Sequence, residues 1–191
     1  MKKKRCGWSE SSELMRKYHD AEWGVPLHDD KRLFEFLVLE GVQAGLSWST
    51  VLNKRENYRK ALDNFNYKKI AKYTDKKIEA LLQNTGLIRN RLKMNALVTN
   101  AKCFINVQKE FGSFDKYIWS FVNHKPIVNK FKSLNEIPAK TLLSDKISED
   151  MKKRGFKFVG STIIYAYMQA TGMVNDHLIS CFRKNHVFEK K

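Results

Sequence analysis

The sequence has little of what a secreted or membrane-spanning protein needs. It contains three cysteines, an odd number without the spacing of a disulfide framework, which indicates a reducing compartment and predicts a cytoplasmic protein. No run approaches the roughly 18 apolar residues of a membrane-spanning helix. The basic residues 1–5 are not followed by the apolar stretch of a signal peptide, so we expect no export signal.

Acidic residues are also scarce. The chain has 20 Asp and Glu residues against 36 Lys and Arg residues, which gives a formal net charge of +16. An excess of this size indicates a polyanionic partner, most simply a nucleic acid, with an anionic membrane surface as the second choice. A lysine-rich surface that reflects only an AT-rich genome would give the same count, so charge alone does not decide.

Proline is rare, with three residues, and no segment keeps the alternation of a β-strand for long, so the sequence predicts an all-α protein. Residues 33–43 are too apolar for an exposed helix and predict a central one, whereas residues 46–62 are amphipathic. Glycines are expected to end most of the other helices. These helices are 75–84 with Gly86 as C′ residue, 94–108 with Gly112, 144–154 with Ser144 as cap and Gly155 at the end, and 161–171 with Gly172.

The length of 191 residues suits one domain, and the sequence contains no repeat. Residues 126–138 form the only plausible seam between lobes. Because the two ends of the chain carry related chemistry, we expect residues 1–191 to form one unit. Residues 156–159 are interpreted as an extended connector, and the charged tail from Arg183 is expected to fray.

The stretch from residue 39 to residue 48 contains one carboxylate and one tryptophan in an apolar context. Glu40 follows an apolar run, and an ionised carboxylate in apolar surroundings is costly without a partner. Trp48, eight residues later, offers a flat aromatic face. Together these two side chains predict a pocket for a flat, electron-poor ring.

Two pairs of potential metal ligands lie near the two ends of the chain. Cys6 and His19 are separated by twelve residues, and His177 and Cys181 by three, a spacing that puts both side chains on one face of a helical turn. Two thiolates and two imidazoles make a closed tetrahedral zinc set that would fasten the termini together. Either pair alone is weak evidence, because such spacings are common by chance. The remaining candidates are Cys103, interpreted as a small buried apolar side chain, and His28, His124 and His186, which have no identifiable partner.

The segment around residues 81–93 has the composition of an anion-binding loop between two helices. Gly86 would allow backbone N–H groups to face a phosphate, and Arg89, Arg91 and Lys93 add cations. Such contacts would position DNA without reading its sequence. A plain helical hairpin with solvated arginines explains the same residues equally well, and the net charge favours the phosphate interpretation.

Ordered blocks from Cys6 to Cys181, nearly the whole chain, resemble the bacterial DNA-3-methyladenine glycosylase I family. The blocks are Cys6-Gly7-Trp8, Tyr18-His19-Asp20, Glu22-Trp23-Gly24-Val25-Pro26, Leu39-Glu40-Gly41, Gln43-Ala44-Gly45-Leu46-Ser47-Trp48, Lys54-Arg55-Glu56-Asn57-Tyr58, Trp119-Ser120-Phe121-Val122-Asn123-His124, Lys152 to Gly160, and Val174-Asn175-Asp176-His177. The resemblance implies an all-α helix-hairpin-helix DNA glycosylase fold. The helix-hairpin-helix region would span about residues 75–110, and a zinc site would join segments 6–19 and 177–181.

The same resemblance implies roles for individual residues. The residues that match the family's zinc ligands, for one structural ion, are Cys6, His19, His177 and Cys181. The residues that match the surroundings of the excised base are Glu40, Tyr18, Trp48, Trp8 and Trp23. The residues that would contact DNA are Gly45 and Leu46, which match the loop that enters the base stack, and Gly86, Arg89, Arg91 and Lys93 in the hairpin. The common hairpin motif has two glycines, whereas here Leu92 stands where some members have the second, and neither Glu110 nor Asp115 is assigned as a catalytic acid.

The implied activity is excision of 3-methyladenine from double-stranded DNA by hydrolysis of the N-glycosidic bond, which leaves an abasic site. The base is cationic, so Trp48 would stack on it, Glu40 would oppose its charge and Leu46 would fill the gap in the stack. Glu40 is expected to act mainly in recognition, with a catalytic role left open. We expect a monofunctional enzyme, because no lysine stands out as a Schiff-base nucleophile. We also expect a monomer without a membrane or an obligate protein partner. A non-catalytic nucleic-acid-binding module and a zinc-stabilised adaptor protein remain as alternatives.

Overall fold

The chain is mostly helical within residues 3–185, which a computed structural model describes. The α-helices are α1 (Glu13–Ala21), α2 (Asp30–Gln43), α3 (Trp48–Ala61), α4 (Tyr67–Ile70), α5 (Asp75–Gln83), α6 (Arg91–Phe111), α7 (Phe114–Ser120), α8 (Leu142–Lys153) and α9 (Ser161–Ala170). The other elements are 3-10 turns at Gly7–Ser11, Asp63–Phe65 and Leu134–Glu136, and strands β1 (Ile127–Val128) and β2 (Val174–Asn175). A side chain caps the N-terminus of every helix from α1 to α8, so these starts are encoded locally.

The most apolar stretch of the sequence forms the central helix, as predicted. The Asp29 side chain begins α2 by accepting a hydrogen bond from the backbone N–H of Arg32, and every residue from Leu33 to Val42 is buried. Helices α3, α6, α7 and α9 pack around it, which explains why no polar face interrupts its sequence. None of the helices in the described part of the chain combines the length and apolarity needed to cross a membrane.

Glycine ends three helices where the sequence predicts. Gly112, Gly155 and Gly172 follow α6, α8 and α9 and have positive φ angles, a region that other residues rarely enter. Gly172 is needed for a second reason, because a Cβ there would lie 2.3 Å from the backbone of Val25.

Two expectations about helix ends are wrong. Asn84, not a glycine, caps the C-terminus of α5, and Gly86 two residues later does not have a positive φ angle. Glycine is favoured there because a Cβ would come within 3.0 Å of the Asn57 side chain. Helix α8 begins with Thr141 as its cap, and Ser144 is the third helical residue, which returns a hydrogen bond to the backbone of Thr141.

Two short strands that the sequence does not reveal connect residues 126–138 with the segment before His177. Strands β1 and β2 pair in parallel, with Ile127 opposite Val174. Two residues are too few for alternation to show in a sequence. Residues 156–159 form a connector, as predicted, although Phe158 has a φ angle of 56° and is not extended.

The first and last described segments lie side by side. The backbone N–H of Phe182 donates to the carbonyl of Lys4 at 2.9 Å. The expected fraying from Arg183 is wrong for Arg183 and Lys184, which are buried, and the Lys184 ammonium donates to the backbone carbonyl of Asn175 at 3.3 Å. Residues 186–191, and therefore His186, lie outside the described residues.

Two other side chains also differ from expectation. His28 has a partner, since its Nδ1 lies 2.8 Å from a carboxylate oxygen of Asp115 and its ring centroid lies 4.4 Å from that of Trp119. Cys103 is only partly buried. At the surface, Asp115 is the partner of His28, and Glu110 pairs with Arg154.

Candidate active site and metal centre

One cavity brings together all five side chains predicted to surround a base. Its volume is about 360 Å³, and its wall combines aromatic rings with one carboxylate. The lining residues are Trp8, Met15, Tyr18, Trp23, Glu40, Gln43, Trp48, Leu134, Ile137, Ala166 and Gln169. A cavity of this size and composition suits a flat organic ring held by a few polar groups.

The central helix and its neighbours position these side chains. Helix α2 supplies Glu40 from its last turns, and α1 supplies Tyr18. Trp48 is the first residue of α3, where the Ser47 side chain accepts a hydrogen bond from the backbone N–H of Thr50 and fixes the helix start. The carboxylate and the tryptophan therefore stand on two helices that a short loop connects.

Two buried polar atoms in this cavity have no hydrogen-bond partner among the described residues. They are Oε2 of Glu40 and Nε1 of Trp48. Glu40 is 2% exposed, and burial raises the pKa of its carboxyl from the ordinary 4.5 to about 8. An unpaired buried polar group costs about 1–3 kcal/mol, so both atoms mark places where a ligand would make hydrogen bonds.

Aromatic rings connect the cavity with the potential metal ligands. The centroids of Tyr18 and Trp48 lie 5.1 Å apart, and those of Trp8 and Trp23 lie 5.0 Å apart at a steep angle. Trp23 in turn packs edge-on against His177, with centroids 4.6 Å apart. The wall of the cavity is thus supported from behind by the segment that the sequence predicts to bind metal.

Cys6, His19, His177 and Cys181 meet in one buried cluster that could bind a metal ion. Their ligand atoms all lie within 4.8 Å of one another. Sγ of Cys181 lies 3.5 Å from Nε2 of His19 and from Nδ1 of His177, and Sγ of Cys6 lies 3.8 Å from Nδ1 of His177. A tetrahedral ion with bonds of about 2.0–2.3 Å holds its ligand atoms about 3.3–3.8 Å apart, a range that includes these three sulfur–nitrogen distances. His177 and Cys181 lie in an irregular segment and not on the expected helical turn.

The second nitrogen of each imidazole already has a partner. Nδ1 of His19 lies 2.8 Å from Asp20, whose carboxylate also accepts hydrogen bonds from Arg5. Nε2 of His177 lies 3.1 Å from the carbonyl oxygen of Trp23. Such partners fix the ring orientation and tautomer of metal-binding histidines.

The pKa values of the two thiols are shifted in opposite directions. The hydrogen bond to Cys181 and burial raise the pKa of Cys6, and the same hydrogen bond lowers the pKa of Cys181. Because a divalent cation binds thiolates, its binding to this cluster would be favoured at higher pH.

The loop between α2 and α3 is exposed beside the cavity. Gly45 has a φ angle of 77°, and a Cβ there would meet nothing within 4 Å, so the backbone conformation and not crowding favours glycine. Leu46 is 39% exposed, although it is a large apolar side chain. The loop therefore presents an exposed apolar side chain between Gln43 and Trp48, both of which line the cavity.

Helices α5 and α6 form a helix–loop–helix whose loop contacts α3. The Tyr58 hydroxyl accepts a hydrogen bond from the backbone N–H of Ile88 at 3.0 Å, and the Lys54 ammonium donates to the carbonyl of Thr85 at 3.1 Å. Gly86 therefore lies in a loop that α3 holds in place.

The three cations of this region and the apolar Leu92 have different environments. Arg89 is exposed, and Arg91 is exposed and paired with Glu79. Lys93 is buried, and its ammonium contacts backbone carbonyls. Leu92 is 71% exposed. Only part of the predicted cationic surface is therefore available to a phosphate.

Comparisons with known proteins give the same family over nearly the whole chain. The family model "Methyladenine glycosylase" matches residues 8–184. The chain is 50% identical over 177 residues to "DNA-3-methyladenine glycosylase 1" of Escherichia coli (strain K12), a match that covers 93% of this chain and 95% of that protein. The chain belongs to the methyladenine glycosylase family.

Other family members support the assignment. The "DNA-3-methyladenine glycosylase" of Haemophilus influenzae is 52% identical over 177 residues, with 93% of this chain and 96% of that protein covered. A crystal structure of 3-methyladenine DNA glycosylase I superposes with a TM-score of 0.91 at 49% identity, covering 94% of this chain and 98% of that one. A structure that addresses 3-methyladenine recognition by the Staphylococcus aureus enzyme gives a TM-score of 0.91 at 34% identity, with 94% and 96% covered.

Several lining residues in this family member are not evident from its sequence. Gln43 lies three residues after Glu40, a helical spacing that would have placed it on the same face. Gln169 donates through Nε2 to the carboxylate of Asp176 at 2.8 Å, whereas Leu134 and Ile137 reach the cavity from an irregular segment. No local pattern marks the last three, because only the tertiary fold brings them to the cavity.

Proposed function

We propose that this protein is a DNA-3-methyladenine glycosylase that hydrolyses the N-glycosidic bond of 3-methyladenine in double-stranded DNA and leaves an abasic site for base excision repair. The observation that carries the proposal is the buried Glu40 carboxyl, whose Oε2 has no partner among the described residues, in an aromatic cavity of a chain half identical to 3-methyladenine glycosylases. A neutral ligand would leave the ionised form of this group without compensation, whereas a cationic base provides it.

Recognition would combine stacking with charge. Methylation at N3 makes the base in DNA cationic, and a cation over an indole gains about 0.5–2 kcal/mol. Trp48 would stack on the extruded base, and Glu40 would accept hydrogen bonds from its edge. Tyr18, Trp8 and Trp23 would fix the base's orientation. Burial, followed by the charges of Glu40 and Glu22, raises the pKa of the Tyr18 hydroxyl, which therefore stays protonated.

The bond change requires little acid catalysis. The bond between C1′ of the sugar and N9 of the base breaks, its electron pair stays on N9, and the base leaves as a neutral molecule. The oxygen of a water molecule bonds to C1′, and its proton passes to solvent or to the Glu40 carboxylate. Because the base needs no proton to leave, we assign Glu40 mainly to recognition, with charge stabilisation of the oxocarbenium-like sugar as its possible chemical contribution.

The Cys₂His₂ cluster would hold one structural zinc ion. Soft thiolates together with imidazoles in a tetrahedral arrangement favour zinc over calcium or magnesium. With four protein ligands the ion would have no open position, so its contribution would be to fix the cavity's aromatic wall.

DNA would bind across the loop between α2 and α3, residues 44–47, which we call the wedge loop, and across the helix–loop–helix of α5 and α6, for which we propose the helix-hairpin-helix assignment. Gly45 and Leu46 would enter the base stack as the nucleotide leaves it. Gly86, Arg89 and Arg91 would face phosphates. We further propose that residues 1–191 form a single unit and that the protein acts as a cytoplasmic monomer.

Incubation with methylated duplex DNA tests the function. Chromatography of the released bases should show 3-methyladenine, and the strands should stay intact until heat or base is added. Protein heated beyond its unfolding transition is the control for spontaneous depurination. Retention of DNA without base release would indicate a non-catalytic binding module, and neither retention nor release would indicate an adaptor protein; either result refutes the proposal. Strand cleavage without heat or base would refute the monofunctional mechanism.

A further inference from the structure

Lys93 directs its charge into the protein. The residue is 9% exposed, and its ammonium donates to the carbonyl oxygens of Val42 and Ala44, both at 2.7 Å. Withdrawal from water lowers the pKa of this ammonium, and the two charge-assisted hydrogen bonds offset that cost. A side chain held in this way does not extend toward a phosphate on the surface.

The two carbonyls lie where α2 ends and the wedge loop begins. Val42 is in the last turn of α2, and Ala44 is its C-terminal cap. The last turn of α2 contains no basic residue of its own. A cation at a helix C-terminus stabilises carbonyls that have no partner within the helix, and Lys93 supplies this cation from another helix.

The wedge loop is fixed at three points. Ala44 accepts from Lys93, the backbone N–H of Leu46 donates to the carbonyl of Gln43 at 2.7 Å, and Ser47 caps α3. Of these three, only the contact with Lys93 comes from outside the α2–α3 connection. Lys93 therefore limits how far the loop can move relative to the helix–loop–helix.

The other end of the lysine belongs to the helix–loop–helix. Lys93 is the third residue of α6, and its backbone N–H donates to the capping side chain of Asn90 at 3.0 Å. The exposed Arg89 immediately precedes this cap. One side chain thus connects the start of α6 with the loop that presents Leu46.

We infer that Lys93 is a positioning residue, which holds residues 44–46 in the conformation that lets Leu46 enter the DNA stack, and that it makes no direct contact with a phosphate. The inference rests on the proposed function, because only an enzyme that extrudes a nucleotide uses Leu46 in this way. Through Lys93, binding of the helix–loop–helix to the DNA sugar-phosphate backbone sets the position of the Leu46 side chain.

Salt dependence separates positioning from phosphate contact. Lys93→Met and the matched variant Arg89→Met are each bound to undamaged duplex DNA over a range of salt concentrations. Loss of one phosphate contact lowers the slope of log Kd against log salt by about one. We expect this decrease for Arg89→Met and an unchanged slope for Lys93→Met. An equal decrease in both variants would overturn the inference.

A double-mutant cycle with Leu46 tests whether Lys93 acts through the wedge. Extrusion is followed by stopped-flow fluorescence of 2-aminopurine placed beside a 3-methyladenine in the duplex. Lys93→Met should slow extrusion by about tenfold, and the double variant with Leu46→Ala should be no slower than Leu46→Ala alone. Additive losses, or no loss in Lys93→Met, would contradict the inference.

Two further measurements keep the test independent of folding and of the proposed function. Binding of free 3-methyladenine, followed by tryptophan fluorescence, should be unchanged in Lys93→Met, because the base pocket is intact; if this variant does not fold, the cycle is repeated with Lys93→Arg. Base release by the unsubstituted protein reports on the proposed function separately. If it releases no base, that function fails, whereas the salt slopes still decide whether Lys93 contacts phosphate.

Discussion

Glu40 combines a charge-bearing group with surroundings that disfavour the charge. Burial raises the pKa of its carboxyl from 4.5 to about 8, so the folded protein binds a proton that the unfolded chain releases between these two values. Unfolding therefore becomes easier as the pH rises through this window, and the loss of stability is complete above pH 8. The slope for one such proton is about 1.4 kcal/mol per pH unit.

Glu40→Gln should remove this pH dependence. An amide has no charged form, so the variant should gain stability relative to the unsubstituted protein as the pH rises from 5 to 8. Urea unfolding of both proteins at several pH values measures the difference. If the difference in the free energy of unfolding between the two proteins is constant from pH 5 to pH 8, Glu40 is already ionised in the folded protein at pH 5.

The same substitution distinguishes recognition from chemistry. If Glu40 mainly recognises the cationic base, Glu40→Gln should weaken the binding of duplex DNA that contains 3-methyladenine and slow single-turnover excision by comparable factors, on the order of tenfold or more, because a charge-assisted hydrogen bond is lost. Fluorescence titration and rapid-quench kinetics measure the two quantities. Unchanged affinity with a large loss of rate would instead assign Glu40 to the bond-breaking step.

Single residues were predictable where their chemistry conflicts with their neighbours. Glu40 could be identified because one carboxylate interrupts an apolar run. The ligands of the Cys₂His₂ cluster could be identified because one Cys and one His lie near each end of the chain. Lys93 looks from the sequence like one more surface cation, since nothing local shows that the end of α2 lies within its reach. The lining residues Leu134 and Ile137 were also unpredictable, because a single 3-10 turn and its cap are too short to show periodicity in the sequence.

At the scale of elements, one buried arginine holds three helices together. Arg55 of α3 donates to both carboxylate oxygens of Glu22, the C-terminal cap of α1, at 2.8 and 2.9 Å, and to Glu35 of α2 at 2.8 Å. These helices carry Trp48, Tyr18 and Glu40, so the ion pairs support the relative positions of the base-binding side chains.

Arg55→Met should destabilise the fold strongly. It leaves the buried Glu35 with one guanidinium partner, that of Arg59 at 2.7 Å, in place of two, so the loss should approach but not reach the roughly 3–5 kcal/mol that follows when a buried charge loses its only partner. Urea unfolding measures the loss. The control is Lys17→Ala, which removes an exposed pair with Glu13 and should not change the transition measurably. Equal effects of the two substitutions would show that the Arg55 pairs contribute no more than a surface pair.

Helices were easier to predict than their connections for a physical reason. Capping side chains, apolar periodicity and terminal glycines act within a few residues, so the central helix and the ends at Gly112 and Gly172 follow from local sequence. Pairing of β1 with β2 depends on residues far apart in the chain, and so does the contact between Lys93 and α2. Such contacts leave no local pattern.

At the scale of the whole molecule, the Cys₂His₂ cluster joins the two ends of the described chain. Loss of a structural zinc ion should lower the melting temperature of the protein by about 10 °C or more, because metal binding contributes directly to folding. Cys181→Ser should have the same effect and should change the excision rate of the remaining folded enzyme less than it changes stability.

Metal analysis and calorimetry check this expectation. The unsubstituted protein should contain about one zinc ion per chain, and a strong chelator should lower its melting temperature but not that of Cys181→Ser. A large loss of excision rate in Cys181→Ser at an unaltered melting temperature would contradict a structural role.

The contact between the N-terminal and C-terminal segments also has a consequence for protein synthesis. Trp8, Tyr18 and Trp23 leave the ribosome among the first residues, but Trp23 packs on His177 in the finished fold. A nascent chain therefore carries most of the aromatic wall of its base pocket long before the residue that supports the wall has been translated. The pocket is among the last parts of the molecule to reach its final shape, so a truncated translation product that ends before His177 should not bind the alkylated base.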